Sequence, residues 1–227
     1  MTTNTKSKAS SLAVERMMQF IHRQEIVPGT ILYEQDMASR LGISRTPVRQ
    51  AFDRMVADGV FERVPDKRGV FFPPLTPADF LQVISFRESL EAQAASILAR
   101  RNDAADIGAL EESYERQIAF HSSGGDYETY DYINSGFHMK IAELCGNGYL
   151  IRALKQVFWR FRLYDFYLGG FRNRDAEQLV IDERSVAISN RGHRDIVDAI
   201  IAGDPQRAAE AAIEHIRQSV DTGGYAG

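Results

Sequence analysis

The segment Phe72-Pro73-Pro74-Leu75-Thr76-Pro77 limits the fold more than any other stretch of this chain. Three prolines in five positions forbid a continuous helix and stiffen whatever joins the two sides. The chain of 227 residues therefore reads as two domains, 11–74 and 75–222, after a frayed polar tail over residues 1–10. Thr76 and Pro77 read as the N-cap and first residue of a new helix. The two sides differ in charge: residues 1–74 hold 11 basic and 8 acidic side chains, and the remainder holds 16 and 23. A basic part followed by an acidic part suggests that only the first touches phosphate.

Before the prolines the pattern is helix, helix, helix, hairpin. Leu12, Val14, Met17, Met18 and Ile21 fall at helical spacing. Pro28-Gly29 is a turn, Glu34 to Leu41 a short helix stopped by Gly42, and Ser44 caps a helix running to about Asp58. Val60–Val64 and Val70–Phe72 are short β-prone runs joined by the turn Pro65-Asp66-Lys67-Arg68-Gly69.

This order has helix-turn-helix logic. Met37, Ala38 and Leu41 form the inner face of the first helix, and Gly42 permits the tight turn. Ile43, Val48, Phe52 and Met55 bury the second helix, whose other face carries Arg45, Thr46, Arg49, Gln50 and Arg54. Arg45 sits in the first turn, where recognition helices present residues to base edges. An arginine gripping guanine O6 and N7 contributes about 1–3 kcal/mol of discrimination. Thr46 and Arg49 can equally clamp phosphate, which positions without specifying. Lys67, Arg68 and Gly69 at the hairpin tip form a wing able to reach the adjacent groove or backbone.

Ile43-Ser44-Arg45-Thr46-Pro47-Val48-Arg49-Gln50-Ala51, with Asp58-Gly59-Val60 and Arg68-Gly69-Val70, resembles the GntR-type bacterial regulators. The helical remainder resembles the FCD ligand-sensing domain of the FadR branch, so the resemblance spans roughly residues 10 to 222. It implies a transcriptional regulator, most simply a repressor, that binds double-stranded operator DNA as a homodimer reading a short palindrome. It implies operator contacts by Arg45 and Arg49, phosphate contact by Thr46, and further contacts from Ser44, Lys67, Arg68 and Gly69. Gln35 stands where such regulators often have a DNA-touching arginine.

After the prolines the chain reads as an antiparallel all-α bundle. Helices are expected at about 77–101, 104–122, 126–145, 148–169, 176–202 and 205–221, punctuated by Gly124-Gly125, Gly146-Asn147-Gly148, Gly169-Gly170 and Gly203-Asp204-Pro205. Asn134 and His138, four apart, share a helix face. His193 opens a segment with one buried side, and His215 lies among Ala212, Ile213 and Ile216, where a histidine is unexpected. Facing helices can bring three such imidazoles together, and three with an open position suit a divalent ion.

The resemblance adds a pattern. Many FCD domains bind a divalent metal through an Asp, a His four later, and one His on each of the last two helices; His138, His193 and His215 match, with Asn134 in place of the Asp. The implied ion is zinc, with nickel or manganese as alternatives. The implied effector is a small carboxylate, for which Arg87 in Phe86-Arg87-Glu88-Ser89-Leu90-Glu91 matches a position on the first sensor helix. A plainer role for Arg87 is that of a surface i,i+4 partner of Glu91. Trp159, Arg160, Phe161, Arg162, Tyr164 and Phe166 form an aromatic-basic stripe that reads as core and dimer contact.

Other classes fit less well. Three histidines and a water would suit a metal-dependent hydrolase, but there is no His-Glu-x-x-His arrangement and no general base within one turn of a proposed ligand, so an enzyme is not expected. A DNA-binding protein that senses nothing is the other alternative. No apolar run approaches the roughly 20 residues of a membrane span. A single cysteine, Cys145, and the lack of an apolar leader place the chain in a reducing cytoplasm.

Overall fold

A computed structural model of the chain describes residues 2–65, 68–123, 127–168 and 183–222. Two compact units divide between Asp79 and Phe80, a few residues beyond the proline cluster.

The first unit opens with α1 (Thr2–His22). Residues 2–10, read from sequence as a frayed tail, are the first turns of this helix; they contain no proline or glycine to stop it. The stripe that α1 buries is Ala13, Met17 and Ile21, spaced every fourth residue, and it lies against α3; Leu12 is exposed. A short strand β1 (Ile31–Tyr33) leads into α2 (Glu34–Leu41). Gly42 ends α2 in the left-handed region at φ 66°, donating its N–H to Ala38 and Ser39 carbonyls. α3 (Arg45–Ala57) buries Val48, Ala51, Phe52 and Met55, an i, i+3, i+4, i+7 set. Ser44 has the extended backbone of an N-cap but makes no side-chain capping bond, contrary to expectation.

Strands β2 (Glu62–Arg63) and β3 (Gly69–Phe71) form the hairpin, and β1 adds to its other edge, giving the order β1-β3-β2 with all pairs antiparallel. The register sets Ile31 against Phe71 and Leu32 against Val70. Val60 and Phe61, expected as strand, instead enter the core, where Phe61 meets Phe52 and Phe72 edge-on at 6.2 and 5.4 Å between centroids. Helix-turn-helix and three-stranded wing together make a winged helix-turn-helix.

The second unit is an all-α bundle of α4 (Pro77–Arg101), α5 (Ala104–Ser123), α6 (Tyr127–Cys145), α7 (Gly148–Leu168), α8 (Glu183–Ile201) and α9 (Pro205–Thr222). The expected start of α8 near 176 lies outside the described residues. Caps fix the helix starts. Thr76 Oγ1 accepts the Asp79 N–H at 3.2 Å, Asn147 Oδ1 accepts that of Tyr149 at 3.1 Å, and Asp204 Oδ1 accepts that of Arg207 at 3.0 Å. Gly203 at φ 65°, Asp204 and Pro205 thus act in sequence as stop, cap and first residue, folding α9 back along α8. The core runs through Ala95, Leu98, Phe137, Leu154, Val197 and Ile200, and it surrounds the polar cluster described next.

Candidate functional site

In the first unit, α3 presents Arg45, Thr46 and Arg49 to solvent, with Ser44 just before them and Gln35 on α2 also exposed. The Arg45 guanidinium lies 3.5 Å from Gln35 Oε1, so the two helices of the motif offer one continuous polar edge. Arg68 is exposed on the hairpin, and Lys67 lies outside the described residues. Gly69 departs from expectation. It is buried, and a Cβ there would sit 2.6 Å from the Leu32 carbonyl oxygen. Its lack of a side chain lets β1 and β3 approach.

In the second unit, three helices deliver three buried imidazoles to one point: His138 from α6, His193 from α8 and His215 from α9. His193 Nε2 lies 3.1 Å from Nε2 of His138 and 3.1 Å from Nε2 of His215. The opposite ring nitrogens are spoken for. His138 Nδ1 meets Glu91 Oε2 at 2.6 Å, and His193 Nδ1 meets Gln117 Oε1 at 2.7 Å. Burial opposes ionisation of Glu91, but Arg87 and His138 outweigh it and lower its pKa to about 2. Glu91 is therefore an acceptor only, and His138 donates its Nδ1 proton to it. Gln117 is held amide-oxygen-first because its Nε2 donates to Asn134 Oδ1 at 3.3 Å, so His193 also carries its proton on Nδ1.

Nε2 of His193, with its lone pair free, thus faces Nε2 of His138 across 3.1 Å, an arrangement in which a proton or a metal cation can join the two rings. Burial, followed by the neighbouring imidazoles, pushes the pKa of His193 well below 6.5; burial and then His138 do the same for His215. These rings stay neutral, as metal ligation requires. Tetrahedral zinc with bonds of about 2.0–2.1 Å separates its nitrogens by about 3.3 Å, close to the spacing found. His138, His193 and His215 fit a divalent ion, with Glu91 and Gln117 as the outer partners that orient them.

Asn134 is near but differently engaged. Its Oδ1 accepts from both Gln117 and Ser189, the latter at 3.3 Å, so its oxygen ties the outer partners together. Arg87, far from being a surface residue, is 2% exposed. Its Nε donates to Glu91 Oε1 at 2.7 Å, and its guanidinium lies over the rings of Phe158 and Phe161 at 4.4 and 4.2 Å. The i,i+4 pairing with Glu91 holds, but inside the protein. A cavity of about 50 Å³, bordered by Arg87, Asn134, His138, Phe158, Phe161 and His215, adjoins the cluster. Arg162 also lines it, ion-paired with Asp131, so part of the aromatic-basic stripe of α7 faces this cavity.

Sequence reasoning missed Glu91, Gln117 and Ser189. Their signal was polarity on a buried helix face, as with Ser113 and Gln117 four apart on α5. It missed Gly192 as well, whose lack of a side chain makes room for His215: a Cβ there would lie 2.5 Å from His215 Nδ1.

Comparison with known proteins agrees with this division. Residues 10–72 match the bacterial regulatory proteins of the gntR family, and residues 82–218 match the FCD domain. The chain is 28% identical over 207 residues to an HTH-type transcriptional regulator in an unstable DNA locus of Streptomyces ambofaciens, covering 91% of this chain and 81% of that protein. It is 26% identical over 215 residues to a probable D-xylose utilization operon transcriptional repressor of Paenarthrobacter nicotinovorans, covering 93% and 87%. Among solved structures it is similar to E. coli McbR/YncC, with a TM-score of 0.70 at 19% identity over 94% of this chain and 95% of that one. These relatives are regulators, which sets aside the hydrolase alternative. No helix among the described residues is long and apolar enough to cross a membrane. The chain belongs to the GntR family of bacterial transcriptional regulators, a DNA-binding winged helix-turn-helix joined to an FCD domain.

Proposed function

We propose that this regulator is a cytoplasmic repressor whose operator affinity is set by a small carboxylate bound beside a divalent ion in the FCD domain. The observation that carries the reading is the convergence of three buried imidazoles, with Nε2 of His193 3.1 Å from Nε2 of both His138 and His215 and two of the rings anchored by Glu91 and Gln117. His138, His193 and His215 would hold the ion; zinc fits the all-nitrogen set, with nickel or manganese as alternatives. When bound, it supplies an open position that accepts a carboxylate oxygen. Asn134 serves as an anchor for Gln117 and Ser189 rather than as a fourth ligand, because its oxygen already accepts from both.

Arg87, charged, buried and on the cavity wall, favours an anionic effector. At about 50 Å³ the cavity has room for a molecule displacing roughly three to five waters. Two copies joined through FCD domains would present two recognition helices to a palindrome. Arg45 and Arg49 would read or clamp each half-site, with Thr46, Ser44, Gln35, Lys67 and Arg68 on the backbone. Effector binding would alter the spacing of the winged domains, a coupling typically worth about 1–3 kcal/mol. Repression is supported by relatives that carry that description.

The test is metal content per protomer in protein purified without chelator or nickel resin, beside His193→Ala, followed by operator affinity with and without small carboxylates. About one ion per wild-type chain, absent in the variant, together with a carboxylate-dependent shift in operator affinity, is the expected result. Protein that takes up no zinc, nickel or manganese would sink the metal centre. Operator affinity indifferent to every bound carboxylate would leave a DNA-binding protein without an effector.

A further inference from the structure

His215 borders two spaces. One is the cavity beside Arg87; the other is a groove of about 280 Å³ between α8 and α9, lined by Gly192, Asp195, Arg207, Glu210, Glu214 and His215. The ring is 3% exposed, yet its Nδ1 has no hydrogen-bond partner among the described residues, unlike the Nδ1 atoms of His138 and His193. What brings this nitrogen to the groove is Gly192. A Cβ there would meet Nδ1 at 2.5 Å, Cγ at 3.1 Å and Cβ of His215 at 3.2 Å, so any side chain would cover the ring edge. Two further flanks of the cluster are covered by apolar rings. Phe137 stacks on His193 at 4.1 Å between centroids, and Phe158 lies 5.3 Å from His138. The groove carries three carboxylates against one guanidinium, a balance that concentrates cations at its floor.

We infer that the α8–α9 groove is the route by which a divalent cation enters the histidine cluster, with Gly192 as the opening and His215 as the first imidazole met. The inference rests on the proposed metal centre. Asp195, Glu210 and Glu214 would draw a hydrated ion in, Arg207 would temper the attraction, and His215, whose Nδ1 edge faces the groove and whose Nε2 lies 3.1 Å from Nε2 of His193, would link the groove to the cluster. Loading in this way leaves the Arg87 cavity free for an effector.

The experiment follows zinc uptake by the full-length apo protein in stopped flow, against a chromophoric chelator. Glu210→Gln with Glu214→Gln is expected to slow uptake roughly tenfold at low salt, with the deficit shrinking at high salt and the final stoichiometry unchanged. Arg207→Gln is expected to speed uptake, and Glu112→Gln, on the exposed face of α5, to leave it unaltered. Gly192→Ala is expected to slow it further than the charge changes do. Uptake indifferent to the groove charges, or slowed as much by Glu112→Gln, overturns the route while leaving the metal centre standing. A wild-type protein that takes up no zinc overturns both.

Discussion

Nδ1 of His193 lies 2.7 Å from Oε1 of Gln117, 76 residues earlier in the chain, and that amide is itself turned by Asn134. A buried amide oxygen is thereby fixed as the acceptor that leaves His193 Nε2 bare. Removing it frees the ring to adopt the other tautomer. Gln117→Leu is expected to lower zinc affinity about 10–100-fold while the fold persists, whereas Gln117→Glu should keep or raise affinity, because a carboxylate accepts the same proton more strongly. Competition against a chelator of known affinity measures both. Equal affinities in all three proteins would show that the second partner is idle.

Acid should weaken the metal-free protein in two steps. The pKa values of His193 and His215 lie below 6.5 in the folded state, so folded protein binds fewer protons there than unfolded protein does. Their contribution is fully present above the unfolded value and is lost as pH falls through and below it. Glu91, lowered from 4.5 to about 2, contributes stability above 4.5 that is lost as pH falls towards 2. Urea midpoints measured from about pH 8 to 5 should decline below about 6.5 in wild type and less steeply in His193→Gln. Parallel curves for the two proteins would contradict the assignment.

Arg87 and Glu91 form an ion pair with side-chain exposures of 2% and 6%. Breaking one partner strands the other in the core, so Arg87→Met should cost about 3–5 kcal/mol of unfolding free energy. Arg87→Met combined with Glu91→Gln should recover part of that loss, since no uncompensated charge remains. Denaturant titration of the single and double variants decides it; an additive double variant is the outcome that counts against the pair.

On the DNA side the two kinds of wing and helix residue should separate. Arg45→Ala is expected to weaken operator binding by about 1–3 kcal/mol per half-site and, where it reads a base, to relax selectivity at one position. Gly69→Ala should act through the fold instead. Its Cβ would press on the Leu32 carbonyl, costing about 1–3 kcal/mol of stability. Selection of binding sites from random DNA, beside thermal melts, tells the two apart. A Gly69→Ala protein as stable as wild type but impaired on DNA would return the glycine to the interface.

Much of this was legible in the residues because local chemistry dictated it. Gly42 ends α2, and Gly203-Asp204-Pro205 turns α8 into α9, for reasons contained within a few positions. The inward face of α3 follows from helical spacing, and the three cluster histidines from the family resemblance that their positions match. Strand β1 did not announce itself: three consecutive apolar residues, Ile31-Leu32-Tyr33, offer no polar-apolar alternation, and only pairing with β3, far along the chain, makes them a strand. The same distance hid Glu91 and Gln117, which lie 47 and 76 residues from the imidazoles that they orient. The hydrogen bonds of Asn134 were hidden for a related reason: they depend on α5 and α8, and spacing along α6 carries no information about those helices.

Adjacent residues of α6 do two jobs at the cluster: Phe137 covers His193, and His138 abuts it. Consecutive side chains on a helix diverge by about 100°, so α6 must be seated at one particular rotation for both to reach the same ring. Turning or sliding α6 cannot withdraw one without dislodging the other. A ligand that moved α6 would therefore disturb both contacts to His193 together, and with them the seat of α8.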